Sequence, residues 1–143
     1  MGKKRVIEKG DQAGSEVQSN APSSSRGTGM KEGRVSVYSS YNNTIISLAD
    51  RNGSVVFATS AGRLGFKGSK KSTPFAASKV AETVADVAKN KGVERIWVAV
   101  RGIGPGRESA LRSLGTKGFE IQAIKDATGV PHNGPRPRKV RRV

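Results

Sequence analysis

The chain has 143 residues, no cysteine, one histidine and a formal charge of +15, with 26 Lys and Arg against 11 Asp and Glu. Disulfides, zinc–thiolate sites and cysteine nucleophiles are thereby excluded, and His132 alone cannot build a multi-histidine metal site, so no metal and no cofactor is expected. Such a charge opposes folding in isolation and attracts polyanions. No apolar run approaches the roughly 18 residues of a membrane span, and the N-terminus lacks the apolar segment of a signal peptide, so the expected partner is nucleic acid and not a membrane. Nine of the fifteen net charges fall in residues 61–73 and 131–143, which contain no acid.

Residues 1–33 are rich in Ser, Gly and Gln without helical or strand periodicity, and are expected to form a flexible N-terminal arm. Lys3, Lys4 and Arg5 within it are either a solvated cluster or phosphate contacts. A globular domain is expected over residues 34–126. Alternation of Val35 and Val37 with Ser36 and Tyr38 predicts a strand from Arg34 to Ser40, and Tyr41-Asn42-Asn43 a turn. Ile45, Ile46 and Leu48 mark a strand over Thr44–Ala49. Asn52-Gly53 is the pair favoured in tight hairpins, and Ser54–Thr59 supplies the third strand of an antiparallel meander.

The loop Ala61–Thr73, AGRLGFKGSKKST, carries Arg63, Lys67, Lys70 and Lys71. Gly62, Gly65 and Gly68 permit a positive φ or close approach to another polymer. Thr73 suits an N-cap and Pro74 the first helical position, so a helix N-terminus lies beside the four cations. Such an end attracts anions. The alternative is a mobile, solvated connection. A nucleotide-binding P-loop fails on spacing, because five residues beyond Gly62 or Gly65 stand Lys67 and Lys70 where a second glycine is required.

Ala77, Val80, Ala81, Val84 and Ala88 recur at helical spacing, and Gly92 supplies a stop. Arg95–Val100 is almost continuously apolar, which predicts a central strand covered on both faces, with Trp97 in the core. Arg101, Gly104, Gly106 and Arg107 form a second glycine-containing strand-to-helix turn, a further phosphate candidate. Arg107 stands where a dinucleotide fingerprint would place its third glycine, so that match is weak. A helix over Glu108–Lys117 and a last strand over Phe119–Ile124 complete the domain. Residues 127–143 are expected to be an extended basic tail, stiffened by proline and bearing Arg136, Arg138, Lys139, Arg141 and Arg142. His132 is read there as a hydrogen-bonding or stacking contact.

Four stretches resemble one known family. Ser40-Tyr41-Asn42-Asn43-Thr44-Ile45, the run from Gly65 through Thr73-Pro74-Phe75 to Ala77, Gly104-Pro105-Gly106-Arg107-Glu108-Ser109, and Pro131-His132-Asn133-Gly134 with the tail are similar to the eleventh protein of the small ribosomal subunit in its bacterial form. The resemblance covers about residues 34–143. It implies an α/β fold: a mixed five-stranded sheet with helices on both faces, similar to a ribonuclease-H-like motif, flanked by disordered basic N- and C-terminal extensions. It further implies a cytoplasmic ribosomal protein, not a homo-oligomer, that bridges small-subunit ribosomal RNA helices on the platform. The neighbours implied are the seventh and eighteenth small-subunit proteins and the messenger near its ribosome-binding sequence. The RNA contacts carried over are Asn42 and Asn43 in the first turn, and Arg63, Lys67, Gly68, Ser69, Lys70, Lys71, Ser72 and Thr73 in the loop. Arg101, Gly104, Gly106 and Arg107 follow in the second turn, then His132, Asn133 and the five tail cations. Gly129 and Pro135 stand where bacterial members usually have proline and cysteine, and residues 1–33 are less uniformly basic than the family's arm.

Two other function classes are weighed. A nuclease of ribonuclease-H architecture needs convergent carboxylates for two metal ions, whereas the strand Arg34–Ser40 has none, so no catalytic residue and no enzyme activity is expected. A free-standing basic protein binding DNA or single strands would display aromatic platforms, while most of the seven aromatics here fall at core-like positions.

Overall fold

The computed structural model describes residues 30–142, so the expectations for Lys3, Lys4 and Arg5 lie outside the described residues. Five strands and two helices follow in the order β1 (Glu32–Ser39), β2 (Thr44–Ala49), β3 (Val55–Ser60), α1 (Pro74–Asn90), β4 (Arg95–Arg101), α2 (Gly106–Thr116) and β5 (Glu120–Asp126). The strands form one mixed sheet in the order β3-β2-β1-β4-β5. β1 pairs antiparallel with β2 and β2 with β3, whereas β4 runs parallel to both β1 and β5.

β1 starts two residues before the expected Arg34, because its parallel register with β4 sets Glu32 opposite Arg95. The Glu32 carboxylate lies 3.3 Å from Arg95 and 3.6 Å from Arg51, which ties β4 and the β2–β3 hairpin to the first residue of β1. α1 presents an unbroken stripe of Ala76, Ala77, Val80, Ala81, Val84, Ala85 and Ala88 to the sheet. Its small side chains let the helix sit close to Val35, Val37, Ile46 and Leu48, all 1% exposed or less. The core is therefore built mostly of Val, Ile, Leu and Ala, with Phe119 as its one buried aromatic. Each fully buried aliphatic side chain contributes roughly 1.5–3 kcal/mol relative to exposure.

The expectation of helices on both faces is corrected. Both crossovers, β3 to β4 through α1 and β4 to β5 through α2, travel in the same direction across the sheet. Right-handed crossovers that advance in one direction put their helices on one side. α1 and α2 indeed pack against each other: an added Cβ on Gly106 would stand 2.7 Å from the Ala77 Cβ. The other face has no covering element among the described residues. Along β1, buried Val35, Val37 and Ser39 alternate with exposed Arg34 and Tyr38, and along β4 buried Ile96, Val98 and Val100 alternate with half-buried Trp97 and Ala99. β4 is thus central but covered on one face only, and Trp97 lies on the bare face, outside the core. The apolar run reads as doubly buried because small or aromatic side chains occupy its open positions.

Candidate nucleic-acid interface

Parallel alignment of β1, β3, β4 and β5 brings their carboxyl ends to one edge of the sheet, and the β1–β2 turn, the Ala61–Thr73 loop, the β4–α2 turn and the tail leave from that edge. The β1–β2 turn is joined to the β4–α2 turn by a hydrogen bond from Gly104 N to Ser39 O at 2.9 Å. The loop after β3 starts with Ala61 N donating to Thr44 O at 3.0 Å. The tail leaves β5 with Ala127 N donating to Val100 O at 2.8 Å. The N-termini of both helices open at the same edge. Topology, not proximity in sequence, assembles the four segments.

The Ala61–Thr73 loop is folded against the domain. Leu64 and Phe66 are partly buried against the core, and Gly68–Ser72 wind into a 3-10 turn. Gly65 and Gly68 take φ of 90° and 58°, which a side chain would strain. Ser72 Oγ donates to Ser69 O at 3.0 Å and Thr73 Oγ1 to Lys70 O at 2.8 Å, while Thr73 Oγ1 accepts from Ala76 N at 3.3 Å as the N-cap of α1. With the backbone fixed in this way, Arg63, Lys67 and Lys70 project into solvent and Lys71 is half-buried. Asn42 is exposed in the β1–β2 turn, which Asn43 N closes by donating to Ser40 Oγ at 3.1 Å.

The second turn is shaped by close approach. A Cβ on Gly102 or Gly104 would collide with the carbonyls of Ser39 and Ser40, and one on Gly106 would lie 2.8 Å from Thr44 Oγ1. Beside it Arg107 Nη1 donates to Gly102 O at 2.7 Å, and its Nη2 donates to the Asp126 carboxylate. Asp126 also accepts from Thr128 Oγ1 at 2.6 Å and Thr128 N at 2.9 Å, and Gly102 N donates to Thr128 Oγ1 at 3.2 Å. These bonds from Thr128, followed by that from Arg107, hold the Asp126 carboxyl down at about 2. Arg107, expected as a phosphate contact, thus has its guanidinium engaged in clamping the root of the tail to the β4–α2 turn. Arg101 is exposed in the same region. Beyond the clamp, residues 127–142 form neither helix nor strand, and His132, Asn133 and the tail cations are exposed.

The model of the family described as ribosomal protein S11 matches residues 33–142. The chain belongs to the ribosomal protein S11 family. It is 52% identical over 114 residues to small ribosomal subunit protein uS11 of Chromobacterium violaceum, covering 80% of this chain and 87% of that protein. Identity is 54% over 114 residues to uS11 of Desulfotalea psychrophila, covering 80% and 90%, and 50% over 113 residues to uS11c of Cyanidioschyzon merolae, covering 79% and 93%. All four segments at the carboxyl edge of this S11-family chain lie within the matched range.

Two features of this S11-family surface were not anticipated. One is the Asp126–Thr128 pair, whose sequence signal is an Asp followed two residues on by Thr, a pattern for a side-chain-closed turn. Most of the seven aromatics are expected at core-like positions, whereas Tyr38, Tyr41 and Phe75 are 45%, 69% and 63% exposed, Phe57 and Phe66 are only partly buried and Phe119 alone is buried. Phe75 could have been found from α1, because the position lies off the Ala/Val stripe.

Proposed function

We propose that the carboxyl edge of the sheet is the RNA-binding surface of a ribosomal protein and that it works by neutralising phosphates on a preformed shape. As a member of its family the chain is a structural constituent of the small ribosomal subunit and not an enzyme. It functions in the ribosome, in the cytoplasm, with ribosomal RNA and other ribosomal proteins as partners. The single observation that carries the finer reading is the convergence of the β1–β2 turn, the Ala61–Thr73 loop, the β4–α2 turn and the tail root on one edge. Phosphate contacts give position and affinity, and folded RNA is read chiefly by shape.

In this reading Arg63, Lys67, Lys70 and Lys71 meet phosphates beside the α1 N-terminus, with Gly68, Ser69, Ser72 and Thr73 offering backbone and hydroxyl contacts. Asn42, Asn43, Arg101, Gly104 and Gly106 extend the footprint along the edge. The clamp at Arg107 aims His132, Asn133, Arg136, Arg138, Lys139, Arg141 and Arg142 into the RNA. The placement on the platform, beside the messenger's ribosome-binding sequence and the seventh and eighteenth proteins, is the finer assignment we favour. If about six cations meet phosphates, log K falls against log salt with a slope of roughly −4 to −5. Filter binding of the purified chain to small-subunit ribosomal RNA over a salt series tests this, and a slope near zero refutes it. Co-sedimentation with small subunits, as opposed to nucleoid, tests the assembly.

A further inference from the structure

We propose that Phe75 is a stacking platform for an unpaired nucleobase of the RNA whose backbone the adjacent loop holds. The proposal rests on the phosphate-binding reading of the Ala61–Thr73 loop and names a second chemistry for the same surface. Phe75 sits in the first turn of α1, next to the Thr73 cap. An exposed apolar residue is ordinary by itself. Here the ring is also held in place: Phe66 meets it nearly perpendicularly, at 80° with centroids 6.1 Å apart, and Lys79 Nζ lies 5.9 Å from its centroid. Even so, 63% of Phe75 remains open to solvent, on the rim of a shallow cleft of about 410 Å³ that Leu64 and Phe66 also line. A fixed and accessible aromatic ring is what base stacking requires, because little side-chain freedom is lost on binding.

The charge around the ring selects the occupant. The loop leading into α1 holds Arg63, Lys67, Lys70 and Lys71 without an acid and ends at the Thr73 cap two residues before Phe75, so an RNA segment held by that loop passes next to the ring. The two acids along the cleft are already neutralised, Glu82 by Lys79 at 2.9 Å and Asp86 by Lys117 at 3.0 Å. An unpaired nucleotide brings a flat π-face and an anionic link in one unit. Unstacked bases of loops and bulges are commonly received on aromatic side chains. Every base has such a face, so the contact selects for an unpaired nucleotide and not for a particular base.

The test uses the full chain and a transcript of small-subunit ribosomal RNA. Phe75→Ala is expected to weaken binding roughly five- to a hundred-fold with an unchanged salt slope, since stacking releases no counterions. Lys70→Ala with Lys71→Ala should instead flatten the slope by roughly 0.9 per lost contact. Phe75→Trp, made together with Trp97→Phe so that position 75 carries the sole tryptophan, should retain affinity and gain a fluorescence signal that the RNA quenches. The quench also keeps the idea falsifiable if Phe75→Ala disturbs folding. Parental affinity and slope for Phe75→Ala, or no quench for Phe75→Trp in the complex, overturns the stacking proposal while leaving the loop reading intact. A parent chain whose own slope is near zero sinks both. Unchanged RNA affinity combined with reduced recovery in small subunits would assign the ring to a protein neighbour and likewise overturn it.

Discussion

Two alanine substitutions in one helix should move stability in opposite directions. At Gly106, the first residue of α2, a Cβ would stand 2.7 Å from Ala77 Cβ and 2.8 Å from Thr44 Oγ1, and both neighbours are fully buried. Carbon atoms in contact prefer about 3.5–4.0 Å. The Ala77 Cβ is fixed to its backbone and has no rotamer to change, so α1 and α2 must part by about 1 Å. Overpacking of this kind costs roughly 1–3 kcal/mol. For a domain of this size that corresponds to a fall in Tm of roughly 4–12 °C, at about 4 °C per kcal/mol. At Gly115, in the last turn, an added Cβ meets only Ile121 Cδ1 at 4.0 Å. Replacing glycine there removes backbone freedom from the unfolded chain and contributes roughly 0.4–1 kcal/mol, or about 2–4 °C. Thermal unfolding followed by circular dichroism at low protein concentration reads both. A Gly106→Ala variant as stable as the parent, or a Gly115→Ala variant less stable, would refute the packing of the two helices derived above.

The Asp126 carboxyl is held at about 2 in the folded chain against an ordinary 3.8, so its stabilisation is present above the ordinary value and lost as pH falls through about 2. The difference in Tm between the parent and Asp126→Asn should therefore narrow as pH drops from about 5 to about 2. A difference independent of pH would show that the ionised Asp126 carboxylate, bonded to Thr128 and Arg107, does not hold the tail root. Thr73→Ala removes the acceptor for Ala76 N and should cost roughly 0.5–2 kcal/mol in urea denaturation, with Thr73→Ser retaining most of it; equal stability of all three would rule out the cap. Deleting Pro131–Val143 leaves the clamp of Arg107, Asp126 and Thr128 in place, so unfolding should be unchanged while the salt slope for RNA flattens. Loss of fold stability on that deletion would mean that the tail packs on the domain.

Much of the fold is legible in the sequence because its signals are local. Alternation in β1, the Asn52-Gly53 hairpin and the Ala/Val stripe of α1 each follow from contacts within a few residues. The five strands follow from the same local patterns, while their assembly into one mixed sheet follows from the resemblance. The side on which the helices lie is not local, since it depends on the direction in which successive crossovers advance, and Trp97 therefore reads as core when it is not. In the candidate interface the residue types were legible and their commitments were not. Arg107 looks like any other cation in a glycine-rich turn until Asp126, nineteen positions on, is seen to share its guanidinium. Convergence of the four segments on one edge became visible only with the strand order.

Placing both helices on one face also governs how free copies behave toward one another. The chain is half of a layered structure, with Tyr38, Ile45 and Trp97 on its bare side. Its outer strands are open as well, exposing Val55 and Val56 on β3 and Ile124 on β5. Such edges and apolar patches are natural templates for self-association. Chains bearing +15 each repel one another, which opposes that association. Salt screens that repulsion and, in the same concentration range, weakens the hold on phosphate. The free protein is therefore least colloidally secure under the conditions in which it is most easily stripped from RNA.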